Sequence, residues 1–300
     1  MVKIEAWVKA FRLRTLPLSL SSVLLGSLLA LNQDQLSVSV LIGALVTTLF
    51  LQILSNLAND YGDASHGVDN ENRTGPVRGV QSGVISPSEM RNAILIFTIL
   101  ALASGVWLLL KAADKLEMTT VFGFFVLGLL AIAAAIKYTV GKSPYGYAGF
   151  GDFAVFVFFG IAGVAGTYFL HTGEMARSEI LPAVSIGLLA TGVLNLNNIR
   201  DFDNDKENGK RSFAVIIGLH GAKVYHTLLI LTAVAAAIGY TILNFHSGYQ
   251  FIFLITLPIL IQNLSVVWSS SRASDLDAEL KKLAFATLLF ALTMGIGLVY

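Results

Sequence analysis

Two short acidic runs are spaced alike. Residues 56–63 read NLANDYGD and residues 197–205 read NNIRDFDND, so Asn56 and Asp60, like Asn197 and Asp201, are four residues apart, and the copies are offset by 141 residues. On a helix Asn56, Asp60 and Asp63 project from one face, and Asn197, Asp201 and Asp205 form a stripe at i, i+4 and i+8; Asp203 points elsewhere. Carboxylates crowded in this way repel one another unless something cationic lies between them. Oxygen ligands on two helices suit a hard cation such as Mg²⁺, which keeps waters and binds substrate phosphates as well. Asp60, Asp63, Asp201 and Asp205 are therefore the candidate metal ligands and catalytic residues. One such run alone reads equally well as solvated carboxylates ending a helix; two matching runs favour a shared site.

Basic side chains stand close by. Arg73 and Arg78 follow the first run, Lys142 lies in KYTVGKSPYGYAGFGD (137–152), and Arg200, Lys210 and Arg211 surround the second. Acidic pairs with nearby cations are the pattern of a Mg²⁺-bridged polyphosphate, in which Lys and Arg neutralise the oxygens the metal leaves. Arg78 stands out because RGVQSG surrounds it with small residues that permit close backbone approach. The rings and glycines of 137–152 read either as an interfacial aromatic belt or as cation–π support for a carbocation.

These residues need a scaffold, and the composition makes it a membrane scaffold. Of 300 residues, 55% are hydrophobic and 13% charged, about half the charge of a soluble domain. Mean hydropathy is +0.72. Runs near 16–33, 36–58, 92–112, 118–136, 151–171, 178–199, 222–242, 248–268 and 281–299 are each long enough to span a bilayer. The expectation is an all-α, polytopic membrane protein with about nine transmembrane helices, organised as a single domain over 1–300. With nine spans, all of the 20 Lys and Arg except Lys111, Lys115 and Arg177 fall on one side. The positive-inside rule makes that side cytoplasmic, with the N-terminus and both acidic runs on it. MVKIEAWVKAFRLRT is too long and amphipathic for a signal-peptide n-region and reads as an interfacial helix. The acidic runs close the second and sixth spans, which suggests a duplicated four-helix unit with a ninth helix added. The absence of cysteine excludes disulfides and thiolate chemistry, and a net charge of +1 gives no reason to expect nucleic acid as a partner.

The motifs together resemble the UbiA superfamily of intramembrane prenyltransferases. NDYGD, RGVQSG, YTVGKSPYGYAGFGD and NNIRDFDNDKENGKRSFAVIIG carry the likeness over nearly the whole chain. NDYGDASHGVDNENRTGPVRGVQSGVIS, SPYGYAGFGD, VFVFFG (155–160) and AFRLRTLPLSL (10–20) are most similar to the branch that prenylates 1,4-dihydroxy-2-naphthoate, although Leu13 stands where that branch commonly has proline. The resemblance implies a central cavity open to lipid, two Mg²⁺ ions on Asp60, Asp63, Asp201 and Asp205, and support from Asn56 and Asn197 one turn below. It implies that Arg78, Lys142, Lys210 and Arg12 hold diphosphate oxygens and that Tyr138 lies near the developing cation. Asp69 closes the first Asp-rich motif (56–69), where the branch's insertion begins, and reads as a loop residue. The implied reaction joins a polyprenyl diphosphate to 1,4-dihydroxy-2-naphthoate in menaquinone biosynthesis, in the cytoplasmic (inner) membrane of a bacterium, with Arg73 or Arg200 as the expected contact for the acceptor carboxylate.

Other readings stay open at this stage. The same chemistry could use 4-hydroxybenzoate, homogentisate, haem or glyceryl phosphate as acceptor. A cation-coupled transporter could also place paired carboxylates in a duplicated bundle, but its polar groups belong near the midplane rather than at span ends. A scaffold protein leaves the duplicated motif without a purpose.

Overall fold

The structure, a computed structural model, describes residues 3–70, 76–270 and 272–300, and no strand occurs among them. An amphipathic helix α1 (Lys3–Phe11) buries Ala6 and Ala10 and leaves Ile4 and Val8 exposed, as an interfacial helix does. A break at Arg12 leads through a short 3₁₀ turn into α2 (Leu16–Asn32). Next come α3 (Val38–Ser65), α4 (Pro87–Ala112) and α5 (Met118–Lys137). A single span then runs from α6 (Gly151–Val155) through a π-helical stretch, Phe156–Gly166, to α7 (Thr167–Thr172). After it follow α8 (Ile180–Arg200), the short α9 (Phe202–Glu207) and α10 (Phe213–Leu243). The chain closes with α11 (Leu257–Ser269), preceded by 3₁₀ helix over Gly248–Thr256, and α12 (Asp275–Val299).

Eight of these segments are long and apolar enough to cross a bilayer, and α1 with α2, bent by 43°, makes a ninth if counted as one span. The chain is thus an integral membrane protein. Four span boundaries differ from expectation by five residues or more, and one of them is the ninth, which begins at Asp275, not 281. The second span continues to Ser65, so Asp60 and Asp63 lie within the helix rather than beyond it. The third begins at Pro87, not 92, because Ser86 and Glu89 form a capping box around a proline at N1. The seventh begins at Phe213, not 222, with Gly218 (φ 78°, ψ 161°) breaking its geometry.

Small residues set the packing, as they do where helices cannot gain from hydrophobic burial against lipid. A Cβ on Gly160 would lie 2.5 Å from the Ala183 carbonyl oxygen, so the π-helical stretch and α8 meet backbone to backbone. The most extensively packed pairs are α3 with α4 and α8 with α10, the second–third and sixth–seventh spans. Five-residue steps in the π-helical stretch turn VFVFFG to face both α8 and the interior.

Candidate active site

Both acidic runs meet at one end of the bundle. Asp60 and Asp63 occupy the last two turns of α3, with 1% and 3% of their surface exposed. On the other side, α8 ends at Arg200 and Asp201 (φ −92°, ψ 10°) starts a new helix. The bend does not break the stripe. Asp201 N–H still donates to the Asn197 carbonyl at 3.0 Å, and Asp205 N–H to that of Asp201 at 2.8 Å. Side-chain amides tie the two halves together: Asn204 Nδ2 donates to the Val68 carbonyl at 3.1 Å, and Asn70 Nδ2 to Asn208 Oδ1 at 3.2 Å.

Cations thread the carboxylates. Arg78 Nη1 lies 2.5 Å from Asp63 Oδ2 and 2.9 Å from Asp69 Oδ2, and donates to the Asn59 carbonyl at 3.1 Å. Burial alone would lower its pKa, but Asp63 and Asp69 outweigh burial and raise it. The backbone follows the side chain inward, since Gly79 N–H donates to Asp60 Oδ2 at 3.2 Å. The small residue fits closely there: a Cβ on Gly79 would sit 2.6 Å from Ile85 Cδ1, so that side chain would have to shift. Gly209 (φ 72°) turns the chain after α9 so that Lys210 N–H reaches the Asp205 carbonyl and Lys210 Nζ comes within 3.3 Å of Asp205 Oδ1. Burial pulls the Lys210 ammonium pKa down, and Asp63, Asp205 and Asp201 together carry it above its ordinary value. Burial pushes the Asp205 carboxyl up to about 6, only partly countered by Lys210. Tyr147 joins the halves: its hydroxyl donates to Asp63 Oδ1 at 2.6 Å and its ring faces Lys210 Nζ at 5.5 Å.

Several expected residues take other places. Arg200 is 3% exposed and forks onto Asp201 (Nη2–Oδ2 2.7 Å, Nε–Oδ1 2.8 Å), while Nη1 reaches Asp277 at 2.9 Å and Nη2 reaches Asn197 Oδ1 at 3.0 Å. A guanidinium so engaged anchors Asp201 rather than awaiting an acceptor carboxylate. Lys142 is exposed beside Gly141 (φ 109°), and the wall of the cavity is built without it. Asn56 turns from the carboxylates to the N-terminus: its Nδ2 donates to the Phe11 carbonyl at 2.9 Å and to Thr15 Oγ1 at 3.2 Å. It thereby fastens the turn that holds Arg12 in a left-handed conformation (φ 49°) at the cavity wall. Arg73 lies outside the described residues. Conversely, Asp69 is no bystander, since its side chain is fully buried against Arg78. Asp69 and Tyr147 break the i, i+4 rule that identified the others, so only the loop fold reveals them.

Below the charged cluster lies a cavity of about 430 Å³. Its wall along α3 runs from Asp63 to Ala44, roughly 28 Å at 1.5 Å per residue, nearly the thickness of a bilayer core. Ala44, Leu108, Leu109 and Leu170, with Phe124, close the far end in one apolar cluster. Tyr138 lines the upper wall, set edge-on to Tyr145 with centroids 5.4 Å apart, and a Cβ on Gly146 or Gly151 would press on its ring.

Among the described residues no three carboxylates converge into a metal cage of their own. The donor set nonetheless fits Mg²⁺. Asp60 Oδ1 and Asp205 Oδ2, one from each run, are buried oxygens without a hydrogen-bond partner among the described residues. Mg²⁺ commonly takes one or two carboxylates and completes its shell with water and substrate phosphate.

A cluster of this kind over an apolar shaft can hold an anionic head group and a long apolar tail together, and comparison with known proteins agrees. The sequence model of the UbiA prenyltransferase family matches residues 19–294. A 1,4-dihydroxy-2-naphthoate octaprenyltransferase of Haemophilus influenzae is 40% identical over 298 residues, covering 99% of this chain and 96% of that protein. The solved structure of a UbiA homolog from Aeropyrum pernix K1 superposes with a TM-score of 0.68 at 18% identity, over 95% of this chain and 97% of that one. A UbiA homolog from Archaeoglobus fulgidus bound to DMAPP and Mg²⁺ gives 0.62 at 17% identity, over 96% and 98%. With its paired acidic runs, its apolar cavity and its full-length match, the chain belongs to the UbiA prenyltransferase family.

Proposed function

We propose that this protein transfers a polyprenyl group from polyprenyl diphosphate to 1,4-dihydroxy-2-naphthoate, releasing diphosphate and CO₂ and giving demethylmenaquinol, the reduced form of demethylmenaquinone. The observation that carries the reading is the junction of two buried carboxylate runs, interleaved with Arg78 and Lys210, above an apolar shaft about as deep as a bilayer. The naphthoate acceptor is supported by full-length likeness to relatives that bear that name.

Asp60, Asp63, Asp201 and Asp205 would hold Mg²⁺, two ions on the family pattern, with Asp69 beside them. Bound there, Mg²⁺ supplies charge neutralisation for the diphosphate oxygens. Arg78 and Lys210 already point their N–H donors into the cluster and can pass them from carboxylate to phosphate oxygen, which stabilises the leaving group as the C–O bond breaks with its electron pair. Tyr147 steadies Asp63 meanwhile. The allylic cation left behind faces the Tyr138 ring and an apolar wall that excludes water. The electron-rich naphthalene ring donates the pair for the new C–C bond, and loss of the carboxylate as CO₂ returns a pair to the ring. The acidic end lies in the cytoplasm, and the membrane is the bacterial inner membrane.

The test is turnover by purified protein in detergent with Mg²⁺, labelled polyprenyl diphosphate and 1,4-dihydroxy-2-naphthoate. The reading requires a prenylated, decarboxylated naphthalene. Turnover of 4-hydroxybenzoate or homogentisate in its place would overturn the acceptor assignment.

A further inference from the structure

We propose that Lys281 on α12 receives the carboxylate of the aromatic acceptor, with the Asn198 amide binding the adjacent ring oxygen. This rests on the preceding reading that the acceptor is an aromatic acid. Among the described residues five cationic side chains line the cavity: Arg12, Arg78, Arg200, Lys210 and Lys281. Arg78, Arg200 and Lys210 are each bound to aspartates. Arg12 lies within electrostatic reach of Asp60. Lys281 pairs with no carboxylate among the described residues, whereas its neighbour Lys282 is tied to Glu279 at 2.6 Å.

The surroundings of Lys281 suit a flat ring with one anionic edge. Leu18, Ala190 and Ala284 pack together as a small apolar cluster where α2, α8 and α12 meet. Lys281 lies one turn before Ala284, and Asn198 two turns after Ala190, both toward the charged end of the bundle. Both line the cavity, so this wall passes from small aliphatic side chains to a polar rim. Asn198 is 3% exposed, and its amide hydrogen-bonds to none of the described residues. Lining the cavity, that amide can donate to a ligand oxygen. The neighbouring Asn197 belongs to the second acidic run, which places the acceptor beside the leaving diphosphate. Lys281 also follows Asp277 by four residues on the helix face that holds Arg200, so the anchor of Asp201 and the acceptor cation share one rigid element.

The experiment compares wild-type, Lys281→Met and Lys281→Arg full-length protein in detergent with Mg²⁺ and polyprenyl diphosphate. The acceptors are 1,4-dihydroxy-2-naphthoate and its decarboxylated analogue, 1,4-dihydroxynaphthalene. Because Lys281 is exposed, all three proteins should melt alike. Lys281→Met should raise KM for the acid about tenfold or more, leave KM for the prenyl diphosphate unchanged, and lose the wild-type preference for the acid over the analogue. Lys281→Arg should restore most of that preference. An unchanged KM for the acid, an equal rise in KM for both substrates, or an arginine variant as poor as the methionine one overturns the inference. If the wild type rejects the naphthoate but accepts another aromatic acid, the substrate reading fails, and the same three proteins decide the role of Lys281 with that acid. If the wild type accepts only uncharged acceptors, both fail.

Discussion

Replacing Arg78 by methionine removes a charge while nearly keeping the length of the side chain, and the structure sets the size of the effect. Arg78 serves two carboxylates, and the side chains of Arg78, Asp63 and Asp69 are 11%, 4% and 0% exposed. Removing one partner of a buried ion pair costs about 3–5 kcal/mol. Lys210 still acts on Asp63, which lowers that figure. A stranded carboxyl can also take up a proton, and holding it neutral at pH 7 against an ordinary value near 3.9 costs about 4 kcal/mol at 1.36 kcal/mol per unit. The loss should therefore be about 3–4 kcal/mol when metal is chelated. Mg²⁺ with pyrophosphate binds the folded state, and saturation at a hundredfold excess over Kd is worth about 2.7 kcal/mol to the wild type. The variant lacks a donor to that ligand, binds it more weakly and gains less. Thermal melting of both proteins, in EDTA and in Mg²⁺ with pyrophosphate, checks this. The deficit should be large in EDTA and no smaller with ligand, and turnover should fall about a hundredfold or more below wild type because a donor to the diphosphate is gone. Equal melting in EDTA, or a deficit that ligand abolishes, would refute the view that Arg78 both holds the acidic cluster together and serves the diphosphate.

Asp60→Asn and Asp201→Asn, one in each run, should each reduce turnover about a hundredfold or more without unfolding the protein; wild-type rates in both would sink the metal-site reading. Tyr147→Phe deletes one hydrogen bond to a carboxylate, worth about 1.5–3 kcal/mol, and should show as weaker prenyl diphosphate binding with KM for the acceptor unmoved. Gly128 lines the cavity on α5, and a Cβ there would meet nothing within 4 Å. Gly128→Phe should thus fill the shaft without straining the fold, so a competition assay should show long prenyl diphosphates rejected in favour of short ones; equal losses for both lengths would count against tail binding there.

Helix-borne parts of the site were legible because helical spacing is a sequence property. Asp60 with Asp63, and Asp201 with Asp205, share faces whatever surrounds them, and the stripe survives the bend at Asp201 because hydrogen bonds four residues apart continue across it. Span number and charge asymmetry were legible for the same reason, since apolar length is counted along the chain. Contacts made by loops were not legible. Asp69 reaches Arg78 only because the segment after α3 folds back, and Lys142, with the right charge in the right loop, is exposed and outside the cavity wall. Asn56 misleads in another way. Its spacing to Asp60 is that of a site residue, yet its amide is consumed by the Phe11 carbonyl and Thr15. Sequence spacing assigns a face and leaves the partner on that face unspecified.

The placement of charge in this protein follows from two demands that conflict in a small space. Departure of a diphosphate needs concentrated positive charge, whereas an allylic cation survives only where water and nucleophilic oxygen are scarce. On the proposed reading Asp60, Asp63, Asp201 and Asp205, with Asp69 beside them, would hold the Mg²⁺ that meets the first demand together with Arg78 and Lys210, and the interleaved Arg78, Arg200 and Lys210 keep the buried carboxylates from repelling before substrate arrives. The second is met a short way down α3, where Leu51 and Ala44 line the cavity, and the tyrosine rings of 138 and 145 stand at the boundary. Were the carboxylates a few turns deeper, their oxygens would capture the cation, and desolvating them would cost more than the fold could offset. The end of the helix is thus the position at which both demands are met, and it is also where the two acidic runs come together.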